Sequence, residues 1–253
     1  MNHDHEGRTV LLTTLTLIML TGCQRSQIDV QDDFESPALS AIWSTDRMEL
    51  RSFSVQSQTV RSGKSAAMIT LRTGDVVEEA TDKDKSSERD ELLENWRLYA
   101  LEDVKYEYRF SMFLPDSFPI VPTRLVIAQW KQLGFYSNES PVLALRYQSG
   151  RMFLTLQTET GRRTLWEVNG ESRNRWLDFC FQVRFSKHSN GEVKGFLNGE
   201  QIVDFEGITS YSRTLFHLGI KSRYYFKMGL YRDRMPEPMS ICIDRYSKKE
   251  IPG

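Results

Sequence analysis

Three short stretches of this 253-residue chain hold side chains with chemistry to offer. Ser87-Glu88-Arg89-Asp90-Glu91-Leu92 sets four charged residues in a row and, by itself, reads as a solvated charged loop. In Val126-Ile127-Ala128-Gln129-Trp130-Lys131, alternation puts Gln129 and Lys131 on one side and Ala128 and Trp130 on the other. In the stretch from Tyr224 to Arg232, Tyr225, Lys227 and Tyr231 share a face, and Phe226, Met228 and Leu230 point the opposite way. Gly229 leaves space on the polar side, so Tyr, Lys, Gly and Tyr in line form a polar aromatic trough with room for a ring above the glycine. Histidine is the usual base near neutral pH. His188 lies in the turn sequence Lys187-His188-Ser189-Asn190-Gly191 and reads as solvated; His217 precedes the tyrosine strand, with either packing or an approach to the trough open to it. No Cys/His cluster or EF-hand spacing offers a ready metal site.

The elements that must carry these residues are strands, because apolar residues recur with period two. Val104, Tyr106, Tyr108, Phe110 and Met112 alternate with polar residues, as do Leu177, Phe179, Phe181, Val183 and Phe185. Ser189-Asn190-Gly191 and Asn198-Gly199 bracket a short strand around Phe196, and Asn-Gly favours the tight turns of antiparallel hairpins. Further strands are expected at 66–71, 125–130, 142–147, 152–157, 202–205, 224–231 and 240–246, with a turn or two of helix in the charged stretch 78–96. Ten or so strands with short turns and no internal repeat predict one all-β domain, an antiparallel jelly-roll sandwich of the concanavalin-like kind with a concave groove suited to extended polymers. Lys and Arg total 33 against 34 Asp and Glu, which argues against a nucleic-acid partner, and 40% hydrophobic residues with 11% aromatics exclude a disordered chain.

Taken together, Arg89-Asp90-Glu91-Leu92, Gln129-Trp130-Lys131 and Tyr225-Phe226-Lys227-Met228-Gly229-Leu230-Tyr231 resemble, in order along the chain, the hallmark segments of jelly-roll polysaccharide lyases. These are the alginate lyases, heparin lyase I and glucuronan lyases. The Ala-Gln-Trp form of the second segment and the terminal Lys-x-Gly-x-Tyr-Arg are more similar to the heparin lyase I and glucuronan lyase branch. The resemblance implies β-elimination at a uronic acid. Such a site must neutralise the sugar carboxylate, then hold a base at C5 and an acid at the glycosidic O4. It assigns Arg89 and Gln129 to a carboxylate clamp, since a forked cation and an amide suit a planar carboxylate. Tyr225 becomes base and acid, its phenol acidified by neighbouring cations such as Lys227 or Arg89, with Tyr231 as substitute. Lys131 stands where related lyases commonly have histidine, so it either donates to the carboxylate or marks a protein that only binds glycans. Glu91, Arg146, Lys227, Tyr231 and Arg232 are expected to contact substrate. Because one tyrosine can serve both proton transfers only when H5 and O4 lie on one side of the ring, glucuronic or mannuronic residues are expected rather than guluronic. The alternative is a non-catalytic carbohydrate-binding lipoprotein on the same scaffold; a glycoside hydrolase using Glu91 lacks an identifiable partner carboxylate. The lyase reading requires positions 89, 129 and 225 on one surface.

Residues 9–20 form an apolar and threonine run too short to span a bilayer comfortably, ending in Leu20-Thr21-Gly22-Cys23, which resembles the lipobox of bacterial lipoproteins. A signal peptide over 1–22, lipidation at Cys23, a tether over 23–30 and a domain over 31–250 follow, with an anionic polysaccharide as partner. A lipid-anchored monomer in the cell envelope, periplasmic or outer membrane, is expected. Cys180 and Cys242 are then either a disulfide or two buried thiols. No cofactor is required for the chemistry; Asp33, Glu35 and Asp244 are either ligands of a structural calcium, as in related jelly rolls, or solvated acids.

Overall fold

A computed structural model describes residues 27–75, 87–134, 140–170, 172–212 and 221–253. Sixteen strands form among them: β1 (Asp29–Asp32), β2 (Trp43–Ser44), β3 (Phe53–Gln56), β4 (Ala66–Leu71), β5 (Ser87–Glu94), β6 (Ala100–Leu101), β7 (Lys105–Phe113), β8 (Leu125–Gln132), β9 (Leu143–Gln148), β10 (Arg151–Thr158), β11 (Gly161–Asn169), β12 (Trp176–Arg184), β13 (Glu192–Leu197), β14 (Glu200–Glu206), β15 (Arg223–Asp233) and β16 (Met239–Glu250). The only helical turns in the described residues are 3-10 turns at Leu50–Ser52 and Trp96–Leu98.

The strands make two eight-stranded antiparallel sheets. One runs β14-β13-β12-β7-β16-β4-β3 with β1 on β16; the other runs β11-β10-β9-β8-β15-β5-β2 with β6 on β15. Period-two patterning explains the stacking, since each sheet turns its apolar face inward. Trp130 of β8, Phe226 of β15 and Phe181 of β12 meet at its centre, with ring centroids 4.8 Å (Trp130 to Phe226) and 5.2 Å (Trp130 to Phe181) apart. Tyr108 of β7 packs on Phe226 at 5.4 Å. All four rings are fully buried, which stabilises the sandwich by roughly 2–3 kcal/mol per side chain.

One strand departs from the expected pattern. The charged run read as a loop or helical turn is β5, and every one of its eight residues is buried. Its even positions face inward and are held by partners far along the chain. Glu94 accepts from the Tyr246 hydroxyl at 2.6 Å and from Lys248 Nζ at 3.0 Å, tying the two sheets together, and Glu88 pairs with Arg232 at 2.6 Å. Buried charges of this kind survive only when paired and hydrogen-bonded. Cys180 of β12 and Cys242 of β16 are buried free thiols in strands separated by β7, so the disulfide alternative does not hold.

Candidate active site

The odd-numbered residues of β5 look outward onto the other face of their sheet, where β15 lies between β5 and β8. Antiparallel register sets Tyr231 opposite Arg89 and Gly229 opposite Glu91 across one ladder. Across the other it sets Tyr225 opposite Lys131 and Lys227 opposite Gln129. Directly opposed residues project to the same side of a sheet. Arg89, Gln129 and Tyr225 therefore share one surface with Lys131, Lys227 and Tyr231, as the lyase reading requires.

At the centre is the Glu91 carboxylate, fully buried. Lys227 Nζ donates to its Oε2 at 3.0 Å and Arg89 Nη1 approaches the same oxygen at 3.4 Å. The Gln129 side-chain amide donates to Oε1. Burial opposes the charge on Glu91, but Lys227, Arg89 and the Gln129 amide outweigh it and hold the carboxyl below its ordinary range. Lys227 moves the other way: burial, joined by repulsion from Arg89 and Lys131, pushes its ammonium down to about 8 despite Glu91. Lys227, Arg89 and the Glu91 carboxylate thus share a dry volume, with half-buried Lys131 beside it.

The two tyrosines have different surroundings. Tyr225 is half-buried and packs on Tyr99, ring centroids 5.4 Å apart. Burial, then Tyr99 and Glu91, raise its phenol well above the ordinary range, against the weaker pull of Arg47 and Arg89. The expected acidification of Tyr225 is reversed, because withdrawal of the ring from water outweighs the pull of Arg47 and Arg89. Tyr231 lies with the Arg89 guanidinium 4.1 Å from its ring centroid and that of Arg124 at 4.7 Å. Arg124 and Tyr99 escaped the sequence reading: each sits just outside a strand, where alternation gives no sign of the face it joins.

Other expected contacts sort by face. Arg146 of β9 pairs in register with Val126, which pairs with Tyr231, so it belongs to the same surface. Burial, then Arg162 and Arg124, bring its guanidinium down to about 10. Arg232 does not belong there: it is fully buried on the opposite face, bonded to Glu88 and to the carbonyls of Glu237 and Met235. Alternation puts it with Leu230 rather than Tyr231, so it holds the fold. Gly229 leaves no ring-sized space. With φ of +143° in a bulge, a Cβ there would lie 2.3 Å from the Asp90 carbonyl oxygen, so the residue is glycine because β5 passes so close.

The three acids of the calcium set accept backbone N–H groups. Asp244 is buried and accepts backbone N–H groups of Arg61 (2.9 Å), Ser62 (3.0 Å) and Arg245 (2.8 Å). Glu35 accepts from the backbone of Lys64 (2.8 Å) and Ser65 (3.3 Å), while Asp33 caps the Glu35 N–H at 3.3 Å. Carboxylate oxygens turned to backbone N–H donors clamp these loops. His188 is exposed in the turn after β12. His217 and Cys23 lie outside the described residues.

A family model described as polysaccharide lyase matches residues 34–247. Among solved structures, the endo-beta-1,4-glucuronan lyase from the fungus Trichoderma reesei is similar at TM-score 0.61 and 16% identity, over 79% of this chain and 87% of that one. Alginate lyase AlgAT5 from polysaccharide lyase family 7 is similar at TM-score 0.56 and 14% identity, over 81% and 85%. The cellulose induced protein Cip1 is similar at TM-score 0.56 and 12% identity, over 87% and 96%. No curated protein sequence matches. At such identities the structural likeness establishes the jelly-roll fold, and the match over residues 34–247 establishes the lineage: the chain belongs to the polysaccharide lyase family.

Proposed function

We propose that the protein cleaves a uronic-acid-containing polysaccharide by β-elimination on the face shared by β5, β15 and β8. The observation that carries this is the convergence of Arg89, Gln129 and Lys227 on one buried carboxylate, beside two tyrosines and Lys131. Gln129 keeps a second amide hydrogen and Lys227 two ammonium hydrogens beyond those given to Glu91, so a sugar carboxylate entering the groove meets donors. Masking that carboxylate is what makes the C5 proton removable. The neighbours' names, glucuronan lyase and alginate lyase, support a uronate substrate.

For the proton transfers we favour Tyr231 over Tyr225. The guanidinium groups of Arg89 and Arg124 lie 4.1 Å and 4.7 Å from the Tyr231 ring centroid, whereas the Tyr225 phenol is held protonated by burial. The Tyr231 oxygen takes the C5 proton; the electron pair forms the C4–C5 double bond, the C4–O4 bond breaks, and the same oxygen returns the proton to O4. This needs H5 and O4 on one side of the ring, so glucuronan and polymannuronate are better substrates than polyguluronate. Ultraviolet absorbance of the unsaturated product tests the proposal. The expected result is product from glucuronan or polymannuronate, lost in Tyr231→Phe and retained in Tyr225→Phe. Polymer binding without product from any polyuronate would favour the glycan-binding alternative. We also propose lipidation at Cys23 and a place in the bacterial envelope, supported by Leu20-Thr21-Gly22-Cys23. Unchanged electrophoretic mobility after globomycin treatment would refute that processing.

A further inference from the structure

We infer that the same face carries a second anion site, centred on Arg146, which takes the carboxylate of another sugar in the bound chain; that the chain is a polyuronate rests on the lyase reading. Five Lys or Arg side chains are buried among the described residues: Arg89, Arg146, Lys227, Arg232 and Lys248. Four have a carboxylate within 3.4 Å: Glu91 for Arg89 and Lys227, Glu88 for Arg232 and Glu94 for Lys248. Arg146 has none in the described residues. It is 5% exposed and, among the described residues, donates only through Nε, to Thr155 Oγ1 at 3.0 Å.

The surroundings of Arg146 sharpen the deficit. Arg124 and Arg162 are its electrostatic neighbours. Arg124 is committed to Asp233 at 2.5 Å, but among the described residues Arg162 meets only the neutral groups of Gln157 (2.9 Å) and Ser140 (3.4 Å). A dry guanidinium beside other cations is held at a cost that an anion removes. Its two Nη groups, unused among the described residues, match the two oxygens of a carboxylate.

Register fixes where that anion lies. Arg89, Tyr231, Val126 and Arg146 form one row across β5, β15, β8 and β9. With strands about 4.8 Å apart, Arg146 is roughly 14 Å from Arg89 along the row. An extended sugar chain lying across the strands would bring a later uronate to it, with the Tyr231 ring between. The consequence is a preference for consecutive charged sugars over a charged sugar standing alone.

The test compares glucuronan with a partly carboxyl-reduced glucuronan in which most uronates have neutral neighbours. Wild type is expected to show a KM about tenfold higher on the reduced polymer, the scale of one charge-assisted pair. Arg146→Gln should raise KM about tenfold on glucuronan and discriminate little between the polymers; exposed Arg162→Gln should raise KM about threefold without disturbing the interior. A wild-type KM on glucuronan in Arg146→Gln, or a tenfold discrimination persisting in it, overturns the site. Heparan sulfate and its desulfated form are the control for the other anion: an Arg146→Gln defect confined to sulfated chains overturns the carboxylate assignment. Calorimetric titration of both glucuronans separates this inference from the lyase reading. Discrimination in binding that Arg146 controls, with no product formed, upholds the site and removes the enzyme; product formation indifferent to Arg146 does the reverse.

Discussion

Removing the charge of Glu91 while keeping its shape probes the centre of the site directly. Its carboxylate is 0% exposed and lies 3.0 Å from Lys227 Nζ and 3.4 Å from Arg89 Nη1. Glu91→Gln leaves a buried ammonium and a buried guanidinium facing a neutral amide, with Lys131 adding repulsion. Breaking one side of a buried pair costs about 3–5 kcal/mol. At roughly 2–4 °C per kcal/mol for a domain of this size, the melting temperature should fall by roughly 6–20 °C. Lys227→Met should cost less, about 2 kcal/mol, because Arg89 and Gln129 still hold the carboxylate. With both charges removed, the double variant should be more stable than the sum of the singles implies, by about 2–3 kcal/mol of coupling. Urea denaturation at constant slope measures all three. The acid limb gives an internal check. Because the folded state holds the Glu91 pKa below its unfolded value, its contribution is present above the ordinary carboxylate range and lost as pH falls through the folded value, so the gap between wild type and Glu91→Gln must narrow in acid. Additivity within about 0.5 kcal/mol, or a gap that widens in acid, would refute the argument that the site is organised on this carboxylate.

Three further outcomes are expected. Asp90, raised to about 7 chiefly by burial, binds more protons folded than unfolded, so the stability it contributes below the ordinary carboxylate range is lost as pH rises toward 7; Asp90→Asn should flatten the fall in melting temperature between mildly acid and neutral pH, and a parallel curve would dismiss the effect. Gly229→Ala must place a Cβ 2.3 Å from the Asp90 carbonyl oxygen at a φ of +143°, and should cost about 3 kcal/mol or more and abolish turnover; wild-type stability would mean that the β15 bulge is not required. Lys227 is down at about 8, and a bound polyuronate brings negative charge beside it, so binding near pH 8 should take up roughly half a proton per site. Calorimetry in buffers of differing ionisation enthalpy reads this uptake, and buffer-independent heats would exclude it.

Much of the architecture was legible in local pattern. The expected strand at 66–71 is β4 residue for residue, and 125–130, 152–157 and 224–231 fall within β8, β10 and β15. Alternation also put Tyr225, Lys227 and Tyr231 on one face and Gln129 with Lys131, and both assignments follow the ladders. The strand β11 was not legible, because Arg162, Arg163 and Glu167 leave its pattern mostly polar on both faces of an exposed edge. Nor was β5, whose composition is that of a solvated loop.

By itself, then, the sequence determined a period-two, double-sheet chain with a polar tyrosine strand, since strand geometry imposes alternation on any half-buried segment. Tertiary structure alone decided that Ser87–Glu94 is a buried strand, because the groups that make its charges tolerable lie 136 residues away for Lys227, 144 for Arg232 and 154 for Lys248. It also decided which tyrosine has cations against its ring and that Arg146 is buried without a counter-ion among the described residues. Such properties depend on distance and on exclusion of water, which arise only when strands far apart in the chain are brought side by side.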